Sequence, residues 1–370
     1  MLLEDSMEIV TTLSADPIAA APMDPRKIPF GKIFNRHSFT AEFREGAWQT
    51  GRIAPLESFS LHPGALVLHY AQAIFEGLKA FVQPDGGVAL FRPLMNARRF
   101  QVSAARMAMP AVEETVFLEA ILGLIRADYA SIPRCPGSLY IRPAMIGTQP
   151  YLGVAASKEF TFYILTLPTG AYFPELSSGA GAVDVLISES VVRASPGGTG
   201  NIKAAANYAI TLQVTSTAAA AGCSQVLFLD SSPERRVEEL GGMNVIFVEN
   251  GGLVTPPLTG TILPGVIRDS VLHLAKDQGL AVREYAYTFA ELIDGLRSGQ
   301  ITEAIACGTA AVVTGIRRFR LENGTTIPVG EATGPGPVTS SLFESLQAIQ
   351  YGRVPDQFGW RVPVAGVRLD

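Results

Sequence analysis

The chain has 370 residues, of which 48% are hydrophobic and 17% charged, and its formal net charge is -5. This length suits two domains, and the high apolar content excludes a disordered or fibrous protein. The lack of a basic excess argues against a nucleic-acid partner. The acidic N-terminus does not resemble a targeting peptide, and polar residues interrupt every long uncharged run. We therefore expect a cytoplasmic protein that does not enter a membrane.

The three cysteines, Cys135, Cys223 and Cys307, lie far apart in the chain. Neither metal-ligand spacing nor a Cys-x-x-Cys pair is present. This pattern predicts no metal site and reduced thiols that serve as small core residues.

The first half of the chain reads as an arm followed by short strands and two helices. Residues 1–29 are rich in Ala and Pro and predict an irregular N-terminal arm, and residues 30–167 form a predicted small domain. Its predicted elements, in chain order, are strand-like runs within 31–43, 65–82 and 87–93, helices over 96–109 and 113–130, and strands over 137–147 and 159–168.

Pro, Gly and Ser crowd together in residues 168–182, where we predict an interdomain linker. A larger domain over 183–370 follows. Its predicted elements are strands at 183–190, 225–230, 243–250 and 303–313, and helices at 203–221, 265–279, 288–299 and 338–352. The mixture of helices and strands predicts an α/β fold.

One lysine stands apart from the other charges in the stretch "GGTGNIKAAANY", residues 197–208. Lys203 is the only charged residue between Arg193 and Asp230. Its ammonium could snorkel to solvent, as most lysines on a helix do. Apolar surroundings would instead favour the neutral amine, which is a nucleophile suited to forming a Schiff base with a carbonyl. The preceding glycines fit neither a P-loop nor a dinucleotide fingerprint.

Further groups around the chain could serve the same chemistry. On a continuous helix, Tyr208 would lie about 500° around from Lys203, close to the same side. Glu238 and Glu239 precede a Gly-Gly turn, and the carboxylate of either could keep a heterocyclic nitrogen protonated. Adjacent acids at such a turn are more often solvated charges of a hairpin. Two anion sites are also predicted: the helix start at Val266 and Ile267, and the turn at 308–310. Together these groups describe a pyridoxal phosphate site.

Six motifs carry a resemblance to a known family. They are "LHYAQAIFEGLKAF", "LFRPLMNARRF", "LYIRPAMIG", "GGTGNIKAAANY", "EELGGMN" and "LTGTILPGVIR". In their order and spacing the chain resembles a branched-chain amino acid aminotransferase of pyridoxal phosphate fold type IV, from about Phe30 to its C-terminal region. The resemblance implies a small N-terminal α/β domain, a larger C-terminal pseudo-barrel α/β domain, and a homodimer. It also implies transfer of the amino group of Leu, Ile or Val to 2-oxoglutarate by a ping-pong mechanism.

The resemblance further implies a role for each matching residue. Lys203 would form the Schiff base and move the proton, Tyr208 would bind the phenolate oxygen of the cofactor, and Glu239 would bind its ring nitrogen. The phosphate contacts implied are Arg99, the amides of Val266 and Ile267, and Thr309, with Gly242 nearby; Arg98 matches a less informative position. The substrate carboxylate would lie against Thr309 and Ala310.

The implied substrate pocket is apolar, with one cation. Its walls would be Phe30, Phe75, Lys79 and Tyr140 of one subunit, with Tyr70, Leu152 and Val154 contributed by the other. Arg142 would bind the side-chain carboxylate of glutamate or 2-oxoglutarate. Without the resemblance, Arg142 would be read as a strand-edge ion pair and the aromatic residues as ordinary core.

The chain departs from the family pattern at three places. Ala204, Ala205 and Ala206 replace glycines, which should stiffen the helix start. Gly242 replaces a threonine found in some relatives, and Ala311 and Thr314 stand where animal enzymes carry a redox Cys-x-x-Cys pair, so we expect no thiol switch there. The alternatives are a D-amino acid aminotransferase, an aminodeoxychorismate lyase, a pyridoxal phosphate-binding protein without turnover, and a structural protein without cofactor.

Overall fold

The structure is a computed structural model that describes residues 7–15, 24–170, 172–173, 181–331 and 333–369. Its strands are β1 Ile9–Thr11, β2 His37–Arg44, β3 Ala47–Trp48, β4 Gly51–Pro55, β5 Ala73–Phe75, β6 Leu78–Val82, β7 Gly87–Phe91, β8 Ser138–Gly147, β9 Phe160–Thr169, β10 Ala182–Ser188, β11 Gln225–Leu229, β12 Val237–Leu240, β13 Asn244–Glu249, β14 Gly252–Thr255, β15 Val282–Glu284, β16 Ile301–Gly308, β17 Val312–Arg320, β18 Thr326–Pro328 and β19 Arg361–Arg368. Its helices are α1 Leu66–Tyr70, α2 Pro93–Arg106, α3 Glu114–Ala127, α4 Ala206–Ala209, α5 Leu212–Ala220, α6 Val266–Asp277, α7 Phe289–Ser298 and α8 Pro337–Gln350. Within the described ranges, no helix has both the length and the apolar character needed to cross a membrane.

Contacts divide the chain into two units. The first comprises Met1–Tyr172, Ile202–Ala206 and Ile349–Asp370, and the second comprises Phe173–Asn201 and Asn207–Ala348. The sequence pattern assigns all of 183–370 to one domain, whereas contacts group two of its segments with the first unit. Within the predicted linker at 168–182, residues 171 and 174–180 lie outside the described part of the chain.

A largely antiparallel sheet forms the first unit. Its strand order is β1-β4-β2-β9-β8-β6-β7-β19, with β3 beside β2 and β5 beside β8. Apolar residues of α3 recur every three or four positions, which gives the helix one buried face. Phe100 of α2 and Phe117 of α3 pack against Phe162 of β9, and all three rings are fully buried. The large aromatic contact area anchors both helices on the sheet.

The second unit is built on a mixed sheet. The order is β12-β11-β10-β17-β16-β13-β14-β15, with β18 beside β17. The central strand β10 is parallel to both β11 and β17, whereas β16 is antiparallel to β13 and β17. The two sheets and eight helices of the described residues confirm the predicted mixed α/β class.

Several predicted elements were wrong in detail. The arm is not wholly irregular, because β1 pairs with β4, although residues 1–6 and 16–23 lie outside the described residues. The strand-like run at 65–82 begins with helix α1. Cys135 is exposed rather than part of the core, whereas Cys223 and Cys307 are buried. The single strand predicted at 303–313 is interrupted by a turn between β16 and β17.

The helix predicted over 203–221 is interrupted as well. The backbones of Lys203 and Ala205 are hydrogen-bonded to β5, and Ala204 forms a bridge with Ile74, so these residues lie before the helix that begins at Ala206. The argument that placed Tyr208 on the same helical face as Lys203 was therefore wrong, because no continuous helix joins them. Of the three alanines, only Ala206 lies in a helix, while Ala204 is fully buried.

Candidate active site

The backbone around Lys203 is held by hydrogen bonds within the first unit. The amide of Phe75 donates to the carbonyl of Lys203 at 3.0 Å, and the amide of Ala205 donates to Ala73 at 2.9 Å. The amide of Lys203 donates to the hydroxyl of Ser103 at 3.0 Å. Fixing the main chain on both sides of the residue limits the directions that its side chain can take.

The Lys203 side chain lies beside an aromatic group of residues. Its Nζ is 4.8 Å from the ring centroid of Phe75, and Cζ of Arg142 is 4.7 Å from the same centroid. The Arg142 guanidinium donates to the Tyr140 hydroxyl at 2.7 Å, and the Tyr140 ring lies 5.0 Å from the Phe30 ring. Both cation distances are within the range of cation–π attraction. The structure thus brings these five predicted site residues together.

Arg142 carries unused hydrogen-bonding capacity. In the part of the chain that the structure describes, its buried Nε has no hydrogen-bond partner, and no carboxylate lies within ion-pair distance of its guanidinium. Gly77 gives the Tyr140 hydroxyl room, because a side chain at that position would overlap it. A partly buried guanidinium whose contacts among the described residues are a phenol and aromatic rings is suited to an incoming carboxylate.

Lys79, another predicted pocket residue, lies on β6 opposite Tyr140 of β8. The side chain is buried, and this burial lowers its pKa from 10.5 to about 8. Burying an ammonium costs free energy, which is the cause of the shift.

Replacing Lys79 with Met should stabilise the fold near neutral pH. The pKa of Lys79 is lower in the folded than in the unfolded state, so the charged ammonium destabilises the fold below pH 8. This destabilisation disappears as the pH rises from about 8 to 10.5. We expect the free energy of unfolding at pH 7 to increase by about 2 to 3 kcal/mol. Urea unfolding at pH 7 and pH 10 measures this free energy, and Lys276→Met, at an exposed position, is the control. A variant less stable than the parent at pH 7 would contradict the expectation.

The two neighbouring arginines of α2 have different surroundings. Arg98 is exposed and bonds Glu114 at 3.1 Å. Arg99, the predicted phosphate ligand, is buried and donates from Nε and Nη2 to the carboxylate of Glu76 at 2.6 and 2.9 Å. Sequence reasoning did not single out Glu76, although an acid inside the apolar motif "AIFEGLKAF" was a signal.

The residues predicted to enter a neighbouring subunit lie at the surface of the first unit. The exposed fractions are 42% for Tyr70, 65% for Leu152 and 89% for Val154. The Tyr70 hydroxyl donates to the carbonyl of Leu152 at 2.5 Å, which ties α1 to the loop after β8. An exposed apolar group of this kind is typical of an interaction surface.

Glu239 lies on β12 of the second unit and is buried among polar partners. Its carboxylate pairs with Arg193 at 2.7 Å and accepts from Asn244 Nδ2 at 2.8 Å and from the amide of Leu263 at 3.2 Å. Arg193 also donates to the carbonyl of Thr261. Sequence reasoning missed Arg193 and Asn244; a cation shortly before the glycine turn and the Asn of "GGMN" were the available signals.

Glu238 has a different environment from its neighbour. It is also buried, and burial raises its pKa above the ordinary value, although a hydrogen bond with Thr261 and the charge of Arg193 act in the opposite direction. Its Oε2 has no hydrogen-bond partner among the described residues. The two acids differ in their close contacts, because among the described residues an ion pair with Arg193 at 2.7 Å is formed by Glu239 and not by Glu238. Glu239 has the cation and the neutral donors that a buried carboxylate requires.

Asn244 connects Glu239 with the start of α6. Besides Glu239, its amide donates to the carbonyl of Leu263 at 2.9 Å. A side chain at Gly265 would overlap Asn244 Oδ1, so glycine permits this close approach. Gly265 caps α6, whose first residues are Val266 and Ile267. The predicted helix start is therefore present, and the first amides of a helix have no carbonyl partner within the helix, which suits them to an anion.

The remaining predicted groups of the second unit lie close to the same strands. Asn244 at the start of β13 pairs with Cys307 near the end of β16, and the turn containing Thr309 and Ala310 follows directly. A Cβ at Gly242 would meet Cε1 of Tyr208 at 3.8 Å, an ordinary contact, so this position has room for a side chain.

Ala311 and Thr314 stand where animal enzymes carry a redox pair of cysteines, and the nearest cysteine in the sequence is poorly suited to redox chemistry. Cys307 lies four residues before Ala311 and is fully buried. Burial raises the pKa of its thiol to about 12, and the thiol form is a poor nucleophile.

The two sheets and the site residues described above indicate a class of enzyme, and comparison with known proteins identifies that class. Residues 73–319 match the sequence model of the family described as amino-transferase class IV. The chain is 43% identical over 339 residues to a branched-chain-amino-acid aminotransferase of Mycolicibacterium smegmatis, covering 90% of each chain. It is 40% identical to branched-chain-amino-acid aminotransferase 2 of Bacillus subtilis, covering 93% and 94%.

Solved structures agree. The branched-chain amino acid aminotransferase of Escherichia coli matches with a TM-score of 0.72 and 28% identity, covering 88% of this chain and 99% of that one. The enzyme of Thermobaculum terrenum, solved in its PLP form, matches with a TM-score of 0.71 and 27% identity, covering 88% and 98%. The predicted fold type IV is thereby confirmed. The chain belongs to the branched-chain-amino-acid aminotransferases of class IV, and it is an enzyme that transfers amino groups.

Proposed function

We propose that the protein uses pyridoxal 5'-phosphate to transfer the amino group of leucine, isoleucine or valine to 2-oxoglutarate. Each unit carries groups that fit this cofactor: a lysine beside aromatic rings in the first, and in the second a paired buried carboxylate and the first amides of a helix. When bound, the cofactor supplies an electron sink for charge at the substrate α-carbon and carries the amino group between half-reactions.

The residues of this chain would hold and orient the cofactor as follows. Lys203 provides the amine for its carbonyl and moves a proton at the substrate α-carbon through Nζ. Tyr208 donates to the phenolate oxygen, and Glu239 keeps the ring nitrogen protonated. The phosphate contacts proposed are Arg99, Thr309 and the amides of Val266 and Ile267, and the substrate carboxylate would lie against Thr309 and Ala310.

The observation that carries the choice of substrates is the environment of Arg142. Phe30, Phe75 and Tyr140 give an apolar wall suited to a branched side chain, and one methylene changes binding by only about 1 to 3 kcal/mol. Arg142 lies within that wall, without a carboxylate partner among the described residues. One wall can therefore accept an apolar amino acid in one half-reaction and an acidic one in the other.

Replacing Arg142 with Met should slow the half-reaction with 2-oxoglutarate and leave the half-reaction with leucine nearly unchanged. We expect kcat/KM for 2-oxoglutarate to fall by about 10- to 100-fold, since a charged hydrogen bond contributes about 1.5 to 3 kcal/mol. The single-turnover rate constant with leucine should change by less than about threefold, because the side chain of leucine has no carboxylate. Arg98→Met removes an exposed arginine and serves as the control. Equal losses for leucine and 2-oxoglutarate would contradict the role of Arg142.

We further propose that the active enzyme is a homodimer in which Tyr70, Leu152 and Val154 enter the site of the other subunit. Their exposure on this chain supports the proposal, since an interior role would have buried them. Light scattering of the purified protein tests the assembly, and a monomer with full activity would exclude it. The cytoplasmic location stays a prediction of the sequence.

The direct test is a coupled assay with purified protein, pyridoxal phosphate, leucine and 2-oxoglutarate. Formation of glutamate with a ping-pong rate pattern is the expected result. Protein that takes up the cofactor and shows its visible absorption, yet forms no glutamate, would instead be a binding protein without turnover.

A further inference from the structure

A buried hydroxyl on helix α2 meets the backbone of the reactive lysine. Ser103 is fully buried, and its Oγ accepts a hydrogen bond from the amide of Lys203 at 3.0 Å. The same Oγ donates to the carbonyl of Arg99, one turn earlier in the helix, at 2.9 Å. A serine hydroxyl has one proton to donate and two lone pairs that accept. Because its proton is directed to Arg99, a lone pair is available for the Lys203 amide.

Lys203 is hydrogen-bonded through both of the peptide groups that flank its Cα. The amide on one side donates to Ser103, and the carbonyl on the other side accepts from the amide of Phe75 at 3.0 Å. Peptide groups are planar, so the orientations of these two planes set φ and ψ of Lys203 and the direction of its Cα–Cβ bond. The Ser103 hydroxyl therefore helps to direct the whole lysine side chain. Its hydrogen bond, unlike the one from Phe75, can be removed by a side-chain substitution.

The needs of the helix do not explain a serine at this position. Ser103 lies within α2, Pro93–Arg106, and alanines follow it at positions 104 and 105. In a helix serine is less favourable than alanine, and a hydroxyl that bonds the carbonyl four residues earlier slightly destabilises the helix. Alanine at 103 would suit α2 but would deprive the Lys203 amide of this acceptor. A buried amide that loses its acceptor is unfavourable, so its peptide plane would turn towards another one.

We propose that Ser103 is a positioning residue for amino transfer, whose hydroxyl sets the direction of the Lys203 side chain by accepting from its main-chain amide. This inference rests on the proposed function, in which Lys203 Nζ is the reacting amine. The second hydrogen bond of Ser103 fixes the hydroxyl itself, because it ties that oxygen to the carbonyl of Arg99. Arg99 is the residue proposed to contact the phosphate, so the lysine and that contact are held from the same turn of α2.

The test is the leucine half-reaction of the holoenzyme in a single turnover, followed by visible absorption at a series of leucine concentrations. We expect Ser103→Ala to lower the rate constant at saturating leucine by about 10- to 100-fold, since moving a reacting group by about 1 Å has an effect of this size. The leucine concentration that gives half of the maximal rate should change by less than about threefold, because Ser103 is not part of the proposed pocket wall.

Ser188→Ala is the matched control for the loss of a buried hydroxyl. Ser188, at the end of β10, is also fully buried, and its Oγ donates to the carbonyl of Val191 at 2.9 Å and accepts from the amide of the same residue at 3.2 Å. No predicted site residue takes part in these two bonds. We expect both variants to unfold at lower temperature than the parent, and Ser188→Ala to keep the rate constant within about twofold. Equal losses of rate in Ser188→Ala and Ser103→Ala overturn the inference.

A second pair of variants tests the hydroxyl at constant volume. Thr and Val have nearly the same shape, and a Thr hydroxyl in a helix can bond the carbonyl four residues earlier, as that of Ser103 does. We expect Ser103→Thr to react about 10-fold or more faster than Ser103→Val, and this comparison decides the question if Ser103→Ala does not fold. Equal rate constants in Ser103→Thr and Ser103→Val, or a parental rate constant in Ser103→Ala, overturn the inference. A parent protein that takes up pyridoxal phosphate but does not react with leucine would refute the proposed function instead.

Discussion

Lys203→Ala is expected to lower the rate of transamination by about 10³-fold or more while the protein remains folded. The variant loses both the amine that would hold the cofactor carbonyl and the group that would move the proton, and a positioned acid/base alone contributes about 10² to 10⁴ in rate. The fold should tolerate the change, because the hydrogen bonds that fix this segment come from backbone atoms and Ser103. Steady-state kinetics measure the rate of transamination, visible absorption reports the bond to the cofactor, and thermal unfolding shows whether the variant is folded.

Lys276→Ala is the matched control for that experiment. Lys276 lies in the last turn of α6 and is exposed, so its removal should change neither absorption nor rate. Retention of visible absorption and more than a tenth of the rate by Lys203→Ala would exclude Lys203 as the reacting amine.

Glu239→Gln should reduce turnover by about 10²- to 10³-fold and also destabilise the protein. A neutral amide cannot keep the ring nitrogen of the cofactor protonated, so the electron sink weakens. The change also leaves the buried Arg193 cation without its carboxylate, and removing one partner of such a pair costs about 3 to 5 kcal/mol. Kinetics at saturating cofactor and urea unfolding separate the two effects.

The adjacent acid provides the control. Glu238→Gln changes a carboxyl group whose pKa burial already raises, and the amide keeps an oxygen and adds an NH2 group for the hydrogen bond with Thr261. We expect a change in unfolding free energy within about 1 kcal/mol and near-parental turnover. Similar kinetic losses in both variants would show that Glu239 has no special relation to the reaction.

Local patterns in the sequence were enough for the fold class and for most helices. The apolar spacing of α3 and the Pro-Gly start of α6 both appear at the expected places. Each depends on neighbours within a few residues, which a linear reading captures. The six-motif resemblance then predicted the class of enzyme, which the comparisons confirm.

The partners of the site residues could not be predicted in the same way. Glu76 meets Arg99, and Arg193 meets Glu239, only because strands and helices distant in the chain come together. Hydrophobic periodicity contains no information about which buried charges will pair. The pairing of residues 203–205 with β5 was missed for a similar reason: three alanines favour a helix locally, but hydrogen bonds to β5 delay the helix until Ala206.

The path of the chain through the first sheet limits how this protein can be divided. β19, near the C-terminus, supplies the partner of β7, and residues 203–205 pair with β5. A gene fragment ending at Tyr172 would therefore encode a sheet with an uncovered edge at β7, which invites aggregation. Such fragments should be recovered intact only when the remainder of the chain is co-expressed. For library design, insertions at surface loops are preferable to exchange of either half as a cassette.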